Sequence, residues 1–169
     1  MAIKDESFDV VISHSVLHHT FDAKLGFEQI CRKVKPGGIV MVGLCNSYAR
    51  ISTWVRSKLI GVFGANLDYV VRNSIEDARK ADIWVKDQYY NPHETWHLVR
   101  EVLGWIKESK IDYVNVSPNI LGSDGEEAKG LFDRTIPGNS YQRAVTQLSW
   151  LGTIAREGTT FDVIGRKTV

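Results

Sequence analysis

Phe8-Asp9-Val10-Val11-Ile12-Ser13 and Ile39-Val40-Met41-Val42-Gly43-Leu44 are two short runs rich in β-branched residues, and what lies between them decides the fold. Each reads as a strand of the buried, parallel type, apolar on both faces. From about Asp22 to Val34, Leu25, Phe27, Ile30, Cys31 and Val34 recur at helical spacing with charges between them. Lys35-Pro36-Gly37-Gly38 stops that helix, because proline cannot continue it and the glycines allow a turn. Strand, helix, turn, strand is the βαβ pattern of a parallel sheet, which makes the chain α/β with helices on both faces.

Outward from this unit the signals are weaker. Residues from about Ser52 to Lys86 look helical, with Gly61 and Gly64 expected to break them. Asp87 to Asn91 reads as a loop. Asn91-Pro92-His93-Glu94 then offers a cap, a first-turn proline and a capping-box glutamate, which predicts a helix to about Ser109. Ile111 to Val116 alternates as a strand, Gly122 to Gly138 is loop-like, Tyr141 to Ile154 is helical, and Thr160 to Lys167 is a terminal strand. The expected organisation is one domain: a βαβ core at 1–50, a helical substrate-side insertion at 51–110, and C-terminal strands with a helix at 111–169.

The 169 residues are 43% hydrophobic and 24% charged, an ordinary globular balance that argues against disorder. A net charge of +1 and the lack of a basic run give no reason to expect nucleic acid or an anionic membrane as partner. Cys31 and Cys45 have no CxxC spacing and read as free thiols. With no apolar signal segment after Met1 and no stretch near the ~20 residues needed to span a bilayer, the expected location is the cytoplasm. Trp54, Trp84, Trp96, Trp105 and Trp150 read as packing residues rather than a platform for bases.

The order Phe8–Ser13, Val16-Leu17-His18-His19, then Lys35-Pro36-Gly37-Gly38 before a strand resembles the middle of class I S-adenosylmethionine (SAM)-dependent methyltransferases, of the type 11/12-like domain. The resemblance implies that Phe8–Ser13 is the family's fourth strand. It also implies that Ile111–Val116 and Thr160–Lys167 are its last, antiparallel pair. It implies SAM as cofactor and a Rossmann-like sheet. The family's Gly-x-Gly-x-Gly loop and the acidic residue that takes the ribose hydroxyls have no counterpart here. Gly61 and Gly64 follow no strand, and Gly37-Gly38 lies at the wrong strand end. The expectation is therefore a C-terminal half of the domain, a truncated methyltransferase that binds SAM weakly or not at all by itself.

In an open α/β sheet, ligands sit beyond the carboxyl ends of the strands. Ser13, His14 and Ser15 occupy that place after the first strand, and the resemblance sets them beside the methionine part of SAM; otherwise they cap the next helix. His18 and His19 are candidates to orient an acceptor or act as base, or else are helix-start histidines bonded to backbone. Asn46, Tyr48 and Arg50 follow the second strand and are candidate substrate contacts, Arg50 for a carboxylate or phosphate. Tyr89, Tyr90 and His93 are candidates for a lid.

His93-Glu94-Thr95-Trp96-His97 also matches the zinc-hydrolase pattern His-Glu-x-x-His. The pattern would open its helix, with Glu94 explained by capping and Arg100 where the extended motif needs glycine, so no metal ligand is assigned. A further reading is a non-catalytic half-domain. Loss of the neighbouring strand would leave Phe8–Ser13 as an apolar edge, open to homodimerisation or to an N-terminal half on another chain.

Overall fold

The computed structural model describes residues 3–91, 93–120, 130–152 and 159–169. Four strands form one sheet: β1 (Phe8–His14), β2 (Val34–Cys45), β3 (Ile111–Ser117) and β4 (Thr160–Lys167), in the order β1-β2-β4-β3. β1 runs parallel to β2, while β4 lies antiparallel to both β2 and β3. The helices are α1 (Ala23–Lys33), α2 (Ser47–Phe63), α3 (Tyr69–Ser74), α4 (Ala78–Tyr90), α5 (Val99–Glu108) and α6 (Ser140–Ser149). This is the α/β, Rossmann-like class expected, with the mixed C-terminal pair in place. No helix among the described residues is long and apolar enough to cross a membrane.

Local chemistry explains most boundaries. The Asp22 carboxylate accepts from the Leu25 amide and starts α1. Pro36-Gly37-Gly38 turns the chain, as expected, but does so inside the strand: the register jumps from Phe8↔Val34 to Val10↔Ile39, so β2 bulges there. α2 runs through Gly61 and ends at Gly64, whose φ of 91° closes the helix at no steric cost. The loop expected at Asp87–Tyr90 is the last turn of α4. α6 ends at Ser149, followed by a single tight turn at Trp150–Gly152; the expected continuation to Ile154, like the start of the loop at 122–129, lies outside the described residues.

The helix expected from Asn91 begins only at Val99. Residues 93–98 instead form a strap along the end of β2. His97 N–H donates to Cys45 O at 2.8 Å, Ser47 N–H donates to His97 O at 2.9 Å, and Asn46 bridges His97 in parallel. His93 and His97 therefore share no helix face, which removes the geometric basis of the zinc pattern.

The two faces of the sheet differ. Val40, Val42, Leu44, Phe161 and Val163 pack with Phe27 of α1 and Val99, Val102 and Trp105 of α5 into the main core. The other face has a small cluster of Ile39, Val114 and Ile164, with Met41 against it. On that face β1 is bare. Val10 and Ile12 pair with Ile39 and Met41, yet are 48% and 60% exposed. Among the described residues β1 also has no second neighbour in the sheet. The strand read as buried on both faces is thus partly buried on one, through Val11 and Ser13, and exposed on the other.

Candidate active site

The carboxyl ends of β1 and β2 meet the start of β4 in one row: His14 pairs with Gly43, and Gly43 with Asp162. Register partners point to the same face, so the two side chains bracket the glycine. His14 Nδ1 lies 2.7 Å from Asp162 Oδ1. A Cβ on residue 43 would sit 2.4 Å from that oxygen and 2.6 Å from that nitrogen, so glycine is what lets the pair close across β2. The His14 side chain is 50% exposed and Asp162 16%. Ser15 follows with φ 55°, a left-handed conformation unusual for a non-glycine residue, and its N–H donates to Gly43 O at 3.1 Å. Ser13 lies on the opposite face, pairing with the buried Val42, and is half-buried.

Below this row lies a buried polar network. His18, in the single turn Leu17–His19, is almost fully buried, and its Nε2 stands 3.5 Å from Cys45 Sγ. Burial, followed by the charges of His19, Arg50, His97 and His14, lowers the His18 pKa to about 4. Burial, with Glu94 adding to it, pushes the Cys45 thiol up to about 12. His18 O accepts from Thr95 N–H at 2.8 Å. Thr95 Oγ1 is 2.8 Å from His97 Nε2, and His97 Nδ1 is 3.1 Å from Glu101 Oε1.

Arg50 projects from α2 into the same region. Its Nε and Nη2 both donate to the Glu94 carboxylate, and Nη2 also donates to Gln88 O at 3.2 Å. The two side chains are 7% and 6% exposed, and Trp96 Nε1 donates to Glu94 Oε1 at 2.9 Å. Arg50 is thus spent on a partner within the chain rather than free for a ligand anion. Asn46 is fully buried. Its Oδ1 caps α2 by accepting from Tyr48 and Ala49, and its Nδ2 donates to Gln147 Oε1 at 2.9 Å. Gln147 Oε1 accepts Val99 N–H as well.

The other expected residues lie around this centre. His19 is exposed and accepts from Asn91 Nδ2 at 3.2 Å. Tyr48 helps line a cavity of about 70 Å³ with Leu98, Arg143 and Gln147. Tyr89 lines another, of about 90 Å³, with Arg50, Thr53, Glu94 and Trp96; its hydroxyl bonds Asp68, and burial raises its pKa to about 12. Tyr90 donates to Ser57 O at 3.1 Å, and His93 is exposed. Both cavities fall below the roughly 300 Å³ that a small-molecule ligand occupies. A wider concavity of about 520 Å³ is lined by residues 72–77 and 80, none of them at a strand end. Sequence reading missed Asp162 and Gln147, and weighed Glu94 and His97 only as helix-start and zinc-pattern residues. Asp162 had a signal: an acid within an apolar strand, with a glycine within the neighbouring one.

Residues 1–42 match the methyltransferase domain family, the same stretch that carries the sequence resemblance. The fold as a whole is the Rossmann-like one of methyltransferases: the structure of PKMT2 from Rickettsia typhi with AdoHcy superposes with a TM-score of 0.55 at 12% identity, over 97% of this chain and 36% of that one. A SAM-dependent methyltransferase from Thermotoga maritima gives 0.44 at 11%, over 99% and 60%. The complex between the Haloferax volcanii Trm112 methyltransferase activator and a methyltransferase gives 0.46 at 13%, over 100% and 58%. The chain therefore spans at most 60% of the length of these three proteins. No curated protein sequence matches it.

Proposed function

We propose that this chain forms one wall of a SAM-dependent methyl-transfer site at the carboxyl ends of β1 and β2. The observation that carries the reading is the position of Ser13-His14-Ser15. They end a parallel strand at an open sheet edge, with Ser15 in a left-handed turn, within the stretch that matches the methyltransferase domain family. When bound, SAM supplies an electrophilic methyl group. The residues present fit as a wall beside it and not as an enclosure, because the outer side of β1 is bare and the nearby cavities are too small. Ser13 and Ser15 would hold the cofactor's polar end, with His14 beside it. His19 and His93, both exposed, are open to a small-molecule or polymer acceptor. His18, Asn46 and Arg50 serve the same site from beneath, by fixing the strap and the start of α2.

Calorimetry and amide NMR with SAM test this. The expected result is weak binding, unsaturated at about 1 mM, with shifts confined to residues 13–19 and 43–46. Micromolar affinity would refute the single-wall account, and no perturbation at those residues would refute the cofactor site.

A second reading is favoured by the exposure of Phe8, Val10 and Ile12, at 44%, 48% and 60%. It makes the chain a half-domain completed along β1 by an N-terminal half that adds a strand. Light scattering over a concentration series separates this from homodimerisation: the chain alone stays monomeric if it needs a different partner, and its mass doubles if it pairs with itself.

A further inference from the structure

Methyl transfer to a hydroxyl or an amine leaves a proton that must go somewhere, and His14, His18, His19 and His97 stand near the strand ends. His97 also meets a carboxylate, that of Glu101, but it is buried and its Nε2 is taken by Thr95 Oγ1 at 2.8 Å. His18 is buried at 2% exposure and faces Cys45, closed to any acceptor. His19 is exposed, but it meets the Asn91 amide and the His18 ring and no carboxylate is recorded against it among the described residues. His14 differs from all three. Its Nδ1 is held by a carboxylate, half of its side chain is open, and it sits at the edge where this fold takes ligands.

We infer that His14 and Asp162 form a proton-accepting couple for a protic methyl acceptor, with Gly43 as the gap that lets them meet; this rests on the methyl-transfer reading above. The His14 Nδ1–H donates to the Asp162 carboxylate, which fixes the tautomer and leaves the Nε2 lone pair free. The proton leaves the acceptor's oxygen or nitrogen for Nε2. The lone pair so released forms the bond to the methyl carbon, and the carbon–sulfur electron pair stays on sulfur. One methyl and one proton move, and Asp162 stabilises the imidazolium. The groups around His14 are Asp162 from β4 and, more distantly, His18 from the turn after β1.

Three features argue that the couple is more than a brace between strands. A histidine–carboxylate contact with the ring half exposed adds little stability. The Ser15 backbone immediately after His14 is in a costly left-handed conformation, of the sort that concentrates at functional sites. Gly43 gives up a side chain, with its packing and backbone stiffness, near the carboxyl end of a strand that has neighbours on both sides.

The test uses long-range ¹H–¹⁵N NMR of the His14 ring together with diethyl pyrocarbonate modification followed by mass spectrometry, on the wild type, Asp162→Ala and, as a variant at a half-exposed position, His14→Gln. The expected result is an Nδ1-protonated ring in the wild type that changes tautomer in Asp162→Ala. The rate of carbethoxylation at His14 should drop about tenfold in that variant, the least that loss of a charged hydrogen-bond partner predicts. Modification should be absent at that position in His14→Gln. An Nε2-protonated ring, or equal rates in wild type and Asp162→Ala, overturns the couple. SAM added to the same samples must also shift the His14 ring signals. If SAM moves the Ser13 and Ser15 amides but not the His14 ring, the methyl-transfer reading stands and the couple's role falls. If SAM moves none of them, both fall.

Discussion

Glu94→Ala is expected to be among the most damaging single changes in the chain. The carboxylate receives two donors from Arg50 and one from Trp96, and both charged side chains are under a tenth exposed. Removing it leaves a guanidinium buried, with Gln88 O as its remaining partner. Breaking a buried pair in this way costs about 3–5 kcal/mol, against at most about 1 kcal/mol for an exposed pair. A domain of this size loses roughly 2–4 °C per kcal/mol, so the melting temperature should fall by about 6–20 °C. With a urea slope of about 2 kcal/mol/M, the midpoint should fall by about 1.5–2.5 M. Far-ultraviolet circular dichroism across a urea series reads both the midpoint and the slope. The double change Arg50→Met with Glu94→Met removes both charges and should recover most of the loss, since the penalty belongs to the orphaned charge. A loss below about 1 kcal/mol in Glu94→Ala, or a double variant no better than the single one, would refute the buried-pair account.

Asn46→Ala removes the α2 cap and the bond to Gln147, and should cost about 2 kcal/mol, with faster amide exchange at Tyr48 and Ala49 as its local signature. His18 has a folded pKa near 4, below its ordinary 6.5, so its contribution is complete above pH 6.5 and is lost as pH falls toward 4. That is on the order of 3 kcal/mol, and His18→Asn should flatten the slope of urea midpoints between pH 7 and 4.5. Cys45, with its thiol raised to about 12, should react with a disulfide reagent at pH 8 roughly 10³-fold more slowly in the native protein than in urea.

The β1–α1–β2 unit was legible because β-branched runs and a Pro-Gly-Gly turn leave few alternatives, and Thr160–Lys167 matches β4 residue for residue. The helix start at Asn91 failed for a physical reason. Asn91-Pro92-His93-Glu94 carries good local capping signals, but Glu94 has a stronger partner in Arg50. The backbone of residues 95–97 also finds acceptors and donors on His18, Cys45 and Ser47. Once those bonds form, Glu101 rather than Glu94 reaches back to a helix-start amide, that of Leu98, at 3.4 Å. Local propensity here was overridden by contacts with residues more than 40 positions away, which no window of sequence contains. The exposure of β1 follows the same logic in reverse. Its composition is that of a strand buried on both faces, and the described residues supply a cover for only one.

The His14–Asp162 couple shows most clearly what pattern reading lacks. The two residues are 148 positions apart, and they meet only because β4 inserts between β2 and β3 with Asp162 opposite Gly43. A register slip of one residue would turn Asp162 to the helix face, where it would stand among Val42, Leu44 and Phe161, with no cationic or donor side chain of that core cluster to meet it. The register is held by the apolar pairs Val42–Val163 and Leu44–Phe161, which bury the opposite face. The packing of one face therefore sets the chemistry of the other. It follows that core substitutions such as Phe161→Ala should disturb the His14 tautomer although they touch neither partner, and a ring spectrum unchanged by that substitution would break the link between core register and couple.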